Sequence, residues 1–441
     1  MRSSKKKYIL YNGTMYTFES KLAAFFARHN FDIEGPHVQS TSLALLYDMQ
    51  LGLTSGEHTF TQEMLPTWIQ VHQPCDKKCI VLDAGGTNFR SYLVELKNGD
   101  ATILKSHKGM LPATQHEQTA EQFFDAIAES IEYLKNESDT IHFCFAYAIN
   151  MTPHKDATVL RMSKQVNVSG ILHKHVGASL FEALQKRGWT SLKQVLVLND
   201  TVAALLSGLS LQKNFSSYIG LILGTGFNIA YIESEQIPKL RNDKQVVPQI
   251  IVCESAKTNR LVASDFDKLL QEQTDDGALC KCEKMCSGAY LGKLISICLH
   301  AACNDGLFSA ACATQLLSAE YSFRSINEFL WEETENEITR ICTNATADDV
   351  KLIRAISTEV LRRAARIVAS ALTAVALKTK AGTDPAQPIC IVAEGTTFKK
   401  AFGLKEQVQA CLEEHLTKAH GIYFELHEVD EAIVTGSAYF E

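Results

Sequence analysis

Two stretches of this chain repeat one design. Ile80-Val81-Leu82-Asp83-Ala84-Gly85-Gly86-Thr87-Asn88-Phe89-Arg90 runs on into Ser91-Tyr92-Leu93-Val94-Glu95-Leu96. Tyr218 to Leu223, Gly224-Thr225-Gly226-Phe227-Asn228 and Ile229 to Glu233 follow the same order of apolar strand, Gly-rich turn with Thr and Asn, and apolar strand. Each copy reads as a β-hairpin with its polar residues held in the turn. A repeated supersecondary unit predicts a duplicated fold whose two turns face each other across a cleft. After the first hairpin come a helix from Gln118 to about Lys135, a strand from Ile141 to Ala148, a helix from about Ile171 to Arg187 and a strand from Gln194 to Leu198. That order predicts an α/β architecture, a mixed sheet with helices on its faces.

The turns are where chemistry belongs. Gly85 and Gly86 lack Cβ, so backbone N–H groups can approach a phosphate, and Thr87 and Asn88 add side-chain donors. Asp83, ending a buried strand, is placed to hold Mg2+ through water when the metal arrives with a nucleotide. Arg90 supplies positive charge to a transferring group. An isolated match fits an ordinary Gly-Gly hairpin with a surface Asp and Arg equally well, and the second turn is what shifts the reading. A further site is Asn199-Asp200-Thr201, where the strand at Val195 ends and a helix begins. Asp200 or Thr201 would serve there as a helix cap, but ligands in α/β sheets also sit outside the carboxyl ends of strands. Glu254 ends the strand Ile250 to Cys253, and Glu283 opens a helix running to about Ala302. Each stands equally well as a solvated or dipole-complementing acid. Gly395-Thr396-Thr397, between a strand from Pro388 and a helix start, is another anion or nucleotide contact.

At 441 residues the chain exceeds one simple core. The expected division is an N-terminal helical segment of a large lobe at 1–70, a small lobe at 71–200 with the first turn, and the rest of the large lobe at 201–441. Lys and Arg number 43 against 50 Asp and Glu, a net charge of −7, so there is no basic field for nucleic acid. Lys5-Lys6-Lys7 reads as a solvated N-terminus. No sustained apolar segment follows the charged start, and Ile367 to Leu377 is too short to span a bilayer, so a cytoplasmic protein without membrane attachment is expected. The 13 cysteines, odd in number and scattered, fit reduced buried thiols. Cys280, Cys282 and Cys286 have no neighbouring His to complete a zinc site.

Taken together, Met64-Leu65-Pro66-Thr67, the Asp83 turn, Asn199-Asp200-Thr201-Val202-Ala203, Gly224 to Asn228, Glu283-Lys284-Met285, Ser287-Gly288, Tyr290-Leu291-Gly292 and the Gly395 turn resemble the eukaryotic-type hexokinase family. The resemblance implies the duplicated ribonuclease-H-like, two-lobed fold of the actin-like ATPases and phosphorylation of a hexose 6-hydroxyl by Mg-ATP. It implies glucose as the expected sugar and Asp200 as catalytic base, with Lys164 and Arg90 beside it. It further implies sugar contacts from Ser163, Lys164, Asn199, Asn228, Glu254 and Glu283. The nucleotide side would comprise Asp83, Gly85, Gly86, Thr87, Asn88, Thr225, Gly226, Gly288, Gly395, Thr396 and Thr397. The expected assembly is a monomer or homodimer.

The chain departs from the family where sugar is held. Phe145-Ala146-Tyr147-Ala148 replaces Phe-Ser-Phe-Pro, Ser163-Lys164 replaces Thr-Lys, Val252 stands at an Asn position, and the long C-terminal hinge helix is cut to Gly436-Ser437-Ala438-Tyr439-Phe440-Glu441. A catalytically weak sugar sensor and a kinase for a different sugar or small alcohol stand as alternatives.

Overall fold

The computed structural model describes residues 9–11, 14–16, 18–32, 37–54, 60–162, 166–240, 246–333 and 336–440. Helices α1 (Phe18–Arg28) and α2 (Val38–Thr54) lead to a short strand, β1 (Leu65–Pro66). Three antiparallel strands follow: β2 (Lys77–Gly85), β3 (Asn88–Lys97) and β4 (Asp100–Met110). Helix α3 (Ala120–Ser130) begins at a capping box in which Thr119 accepts from the Gln122 amide and the Gln122 side chain reaches back to the cap. Its buried stripe is Phe123, Phe124 and Ile127. Next come β5 (Thr140–Phe145), the hairpin of β6 (Ala148–Met151) and β7 (Ala157–Arg161), helix α4 (Val176–Lys186), β8 (Gln194–Leu198) and α5 (Asp200–Ser207).

The pattern then starts again. Strands β9 (Ser217–Leu223), β10 (Phe227–Glu233) and β11 (Gln249–Val252) form a second antiparallel meander. Helices α6 (Asp265–Glu272), α7 (Lys281–Cys286), α8 (Gly288–Asn304) and the long α9 (Ala347–Thr379) precede β12 (Ile389–Glu394), α10 (Thr396–Lys400), β13 (Phe424–His427) and α11 (Ala432–Ala438). The first sheet has the order β8-β5-β2-β3-β4 and the second β13-β12-β9-β10-β11-β1. In each, the first strand of the meander lies between its hairpin partner and two parallel strands. The duplication expected from the two glycine turns is therefore present in the topology.

Two main cores lie against the sheets, and Ala230, Ile250 and Val252 of the second sheet join the core of the first. Ile80, Leu82 and Phe143 of the first pack with Phe124, Leu180, Leu184 and Trp189. Ile219, Leu221 and Ile229 of the second pack with Phe25, Phe26, Met49 and the α9 residues Ile356, Val360, Ile367 and Leu372. Full burial of such a side chain contributes about 1.5–3 kcal/mol. Within the second core, Arg363 of α9 donates two hydrogen bonds of 2.7 Å to Asp267 of α6, both side chains buried. This fork-to-fork pairing meets the desolvation cost of two charges that would be expensive alone.

Helix α11 packs against both the first sheet and α5. Val434 and Ala438 of α11 cover Cys79, Val81, Tyr92 and Val94 on the first sheet. The buried His142 ring on β5 donates from Nδ1 to the Ser437 carbonyl at 2.6 Å. On its other side α11 crosses α5 so closely that a Cβ on Gly436 would lie 1.7 Å from the Ala203 oxygen. Helix α5 in turn touches the second sheet at Gly220, where a Cβ would lie 2.3 Å from the Thr201 oxygen. Crossed α5 and α11 thus stand between the sheets.

Two expectations are corrected. The helix expected to run from Glu283 to Ala302 breaks at Ser287, which is extended (φ −91°, ψ 157°), so Glu283 lies inside α7 and Gly288 opens α8. The strand expected to reach Ala148 stops at Phe145 and resumes in a separate pairing as β6.

Candidate active site

The first glycine turn is a two-residue connection: Gly85 pairs with Asn88, and Gly86 sits between them at φ +61° with open space where a Cβ would project. Left-handed backbone there favours glycine, and the bare backbone leaves room for a phosphate. Asp83 lies two residues before Gly85 on β2, 7% exposed, and Arg90 is its cross-strand partner. Arg90 donates from Nη1 to Asp83 Oδ2 at 3.1 Å. Burial pushes the Asp83 carboxyl up, and the Arg90 guanidinium opposes that rise. Arg90 is thus engaged with the proposed magnesium ligand.

The turn is also tied to the β5–β6 connection. The Ala146 amide donates to the Ala84 carbonyl at 3.0 Å, and the Tyr147 hydroxyl donates to the Gly86 carbonyl at 2.7 Å. The sequence alone offered no sign of this second contact. The Tyr in place of Phe gives the turn a buttress, and only the folded chain brings the two segments together.

Asn199 follows strand β8 and caps α5: its Oδ1 accepts from the Thr201 amide at 2.9 Å. The cap is Asn199, so neither Asp200 nor Thr201 is spent on that role. Asp200, first in α5, accepts from the Thr201 amide at 2.8 Å. Burial pushes its carboxyl up to about 6; the Thr201 amide opposes the shift and the Asp83 charge adds to it. A carboxylate with a pKa near neutrality is suited to accept a proton from an alcohol.

Across from it, Asn228 of β10 donates to Glu254 Oε1 at 2.8 Å while its own Oδ1 accepts from the Ile229 amide at 2.8 Å. Glu254 adopts φ +55°, an uncommon conformation for a residue with a side chain. Glu283 accepts from the Phe227 amide at 3.0 Å. Burial raises both glutamates, the Asn228 and Phe227 hydrogen bonds oppose that, and Glu254 raises Glu283 further. Asn199 and Glu254 line one small cavity with Tyr147, Ile149, Met151 and Val252. Ser163 and Lys164 lie outside the described residues.

The second glycine turn gathers the remaining candidates. The Gly224 carbonyl accepts from the Gly288 amide at 2.9 Å and from the Thr397 hydroxyl at 2.8 Å. A Cβ on Gly288 would come within 2.2 Å of Thr397 Oγ1, and one on Gly395 (φ +118°) within 2.3 Å of the Leu223 oxygen. One on Gly226 would come within 2.8 Å of Glu283 Oε2. Three glycine segments therefore meet at van der Waals limits, with the exposed Thr225 and Thr396 beside them. Ser287, at the start of α8, is a buried hydroxyl with no hydrogen-bond partner among the described residues.

Paired sheets, each headed by a glycine turn, with buried and half-buried carboxylates beside the turns, define the two-lobed fold of the actin-like ATPases. Family models described as Hexokinase match residues 26–209 and 218–440, and the chain belongs to the hexokinase family. Among curated relatives, a hexokinase of Brugia malayi is 23% identical over 80% of this chain and 65% of its own length. Hexokinase-2 of Rattus norvegicus is 26% identical over 80% of this chain and 41% of its own. The chain therefore spans less than two thirds of the length of these relatives. Among solved structures, a Schistosoma mansoni hexokinase complexed with glucose superimposes with a TM-score of 0.78 at 20% identity, covering 95% of this chain and 97% of that one. A second hexokinase crystal structure gives 0.75 at 19% identity, covering 96% and 98%.

Proposed function

We propose that this protein transfers the terminal phosphoryl group of ATP to the 6-hydroxyl of a hexose, with glucose the expected sugar and Asp200 the general base. The observation that carries the reading is the position of the Asp200 carboxyl at the start of α5, just past the end of β8, where burial pushes it up to about 6 and the Asp83 and Glu254 charges act in the same direction. A sugar alcohol is a poor nucleophile, and a fixed carboxylate accepting its proton contributes typically about 10²–10⁴-fold.

Asn199, Asn228, Glu254 and Glu283 would orient the sugar hydroxyls, together with Ser163 and Lys164. The open space over Gly86 and the buried Asp83 fit a magnesium-bound phosphate chain. Asp83 would hold the metal through water, with Gly85, Gly86, Thr87 and Asn88 on the phosphates. Gly226, Gly288, Gly395 and Thr397, with the flanking Thr225 and Thr396, would take the opposite side of the nucleotide. When bound, Mg2+ neutralises charge on the transferring group. Arg90 would leave Asp83 to face that charge, and Lys164 would add a second positive charge. Lobes divided at 71–200 against 1–70 and 201–441, with α11 lent to the first, would exclude the water that wastes ATP.

The test is ADP formation with Mg-ATP and a panel of hexoses, beside Asp200→Ala. Sugar-dependent turnover that drops at least about 100-fold in the variant is expected. Sugar binding without turnover in the unaltered protein would replace the kinase with a sensor. Turnover of another sugar or alcohol while glucose stays inert would replace the substrate.

A further inference from the structure

Strand β1, which borders the candidate sugar cavity, is framed by uncommon backbone. Met64, just before it, is fully buried and left-handed at φ +51°, and Trp68, just after it, is buried and left-handed at φ +62°. Side chains rarely tolerate that conformation, and it persists only where the surroundings hold it. What lies between the two residues belongs to the site: Leu65 and Thr67 line the small cavity with Asn199 and Glu254, and Leu65 pairs with Val252, two residues before Glu254.

One cation holds the first of these turns. Lys239, in the connection between β10 and β11, donates to three backbone carbonyls: Gly52 at 2.9 Å, Glu63 at 2.7 Å and Met64 at 2.7 Å. An ammonium has three N–H donors and no acceptor, so all are spent. The Gly52 carbonyl, in the last turn of α2, has no partner within its helix, and the other two flank the left-handed residue. Helix α2 presses directly on the same segment, since a Cβ on Gly52 would lie 2.0 Å from the Gln62 oxygen.

On its other side the segment is stitched to the residues around Glu254. The Met64 amide donates to the Cys253 carbonyl at 3.2 Å, the Ser255 hydroxyl donates to Gln62 Oε1 at 3.2 Å, and Lys257 pairs with Glu63. A shift of residues 62–67 is therefore carried to Glu254. We propose that Lys239 is a positioning residue for the sugar, its ammonium fixing the Met64 turn so that β1 and Glu254 keep one geometry, a role that rests on the phosphoryl-transfer reading. Burial pulls this ammonium down to about 8, and the Glu63 charge opposes the fall. The charges beside it are themselves paired, Glu63 with Lys257 and Asp48 of α2 with Arg260. A neutral amine has two N–H donors for three carbonyls and turns its lone pair on the third, so the turn should loosen as pH rises past about 8.

The test is steady-state kinetics of Lys239→Met beside the parent, on the hexose of the panel that the parent turns over fastest, glucose being expected. The KM for sugar should rise at least about 10-fold, with kcat and the KM for ATP within about 2-fold of the parent. In the parent the sugar KM should climb between about pH 7.5 and 9, and in the variant it should stay level. The parent's profile needs no substitution and decides the matter if the variant does not fold. A sugar KM unchanged by the substitution, kcat and both KM values altered alike, or a parent profile level to about pH 9 overturns the proposal and leaves the kinase reading standing. A parent that neither binds nor phosphorylates any hexose overturns both.

Discussion

Burial pushes the Asp200 carboxyl up to about 6, above its value of about 3.9 in an unfolded chain, and this has opposite consequences for activity and stability. The base form is the carboxylate, so sugar-dependent kcat/KM should fall tenfold per unit as pH drops below about 6. For stability the sign reverses. A carboxyl whose folded pKa is raised contributes fully below its unfolded pKa and loses that contribution as pH rises through the folded value. At pH 7.5 the ionised group should therefore cost the fold about 1–3 kcal/mol. Asp200→Asn keeps the shape and removes the charge. It should melt at a higher temperature than the parent at pH 7.5, with the gain gone by about pH 4, while turnover is lost. Equal melting temperatures across that range would show that Asp200 carries no such cost.

At the scale of elements, the second turn rests on three glycine segments whose spacing no side chain can share. Gly288→Ala puts a methyl group 2.2 Å from Thr397 Oγ1 and 2.9 Å from the Gly224 oxygen. The first of these atoms can rotate away, but the second is backbone. The turn must then move, costing about 1–3 kcal/mol by urea unfolding, and the KM for ATP should rise more than the KM for sugar. A larger change on the sugar side would place Gly288 elsewhere in the site. The sequence made these elements legible unevenly. Both hairpins could be read because an apolar run, a glycine turn and a second apolar run are local signals. Helix α9 carries local signals too: the structure shows a capping box of Thr346 and Asp349 before a long buried stripe. Strand β4 could not be read, since almost all its residues are exposed and lack alternation. The break at Ser287 was hidden because the Glu283 to Leu291 stretch is helix-compatible, and the stop arises where the Gly288 amide turns to the Gly224 carbonyl. The Tyr147 contact with Gly86 escaped for the same reason: it joins residues far apart in sequence.

For the whole molecule, the question is whether the two sheets move against each other. The candidate sugar contacts are divided: Asn199 and Asp200 follow β8 of the first sheet, whereas Asn228 and Glu254 belong to β10 and the end of β11 in the second. A sugar bridging both groups stabilises whichever arrangement brings them together, by as much as it prefers that arrangement. The elements between the sheets are α5 and α11, in contact at Gly436. Small-angle scattering should therefore show a smaller radius of gyration with saturating glucose and no change with a sugar that is not phosphorylated. Gly436→Ala tests the hinge itself. Its methyl group would fall 1.7 Å from the Ala203 oxygen, a backbone atom, so the helices must separate. Ala203 belongs to the first core, and Val434 and Ala438 on either side of Gly436 cover the first sheet, so the strain should reach that core, with a loss of about 1–3 kcal/mol in urea unfolding. The glucose-induced contraction should shrink or vanish, and the KM for sugar should rise. If the variant contracts as the parent does, the α5–α11 crossing is a static brace, and closure must be sought in the strand connections between the sheets.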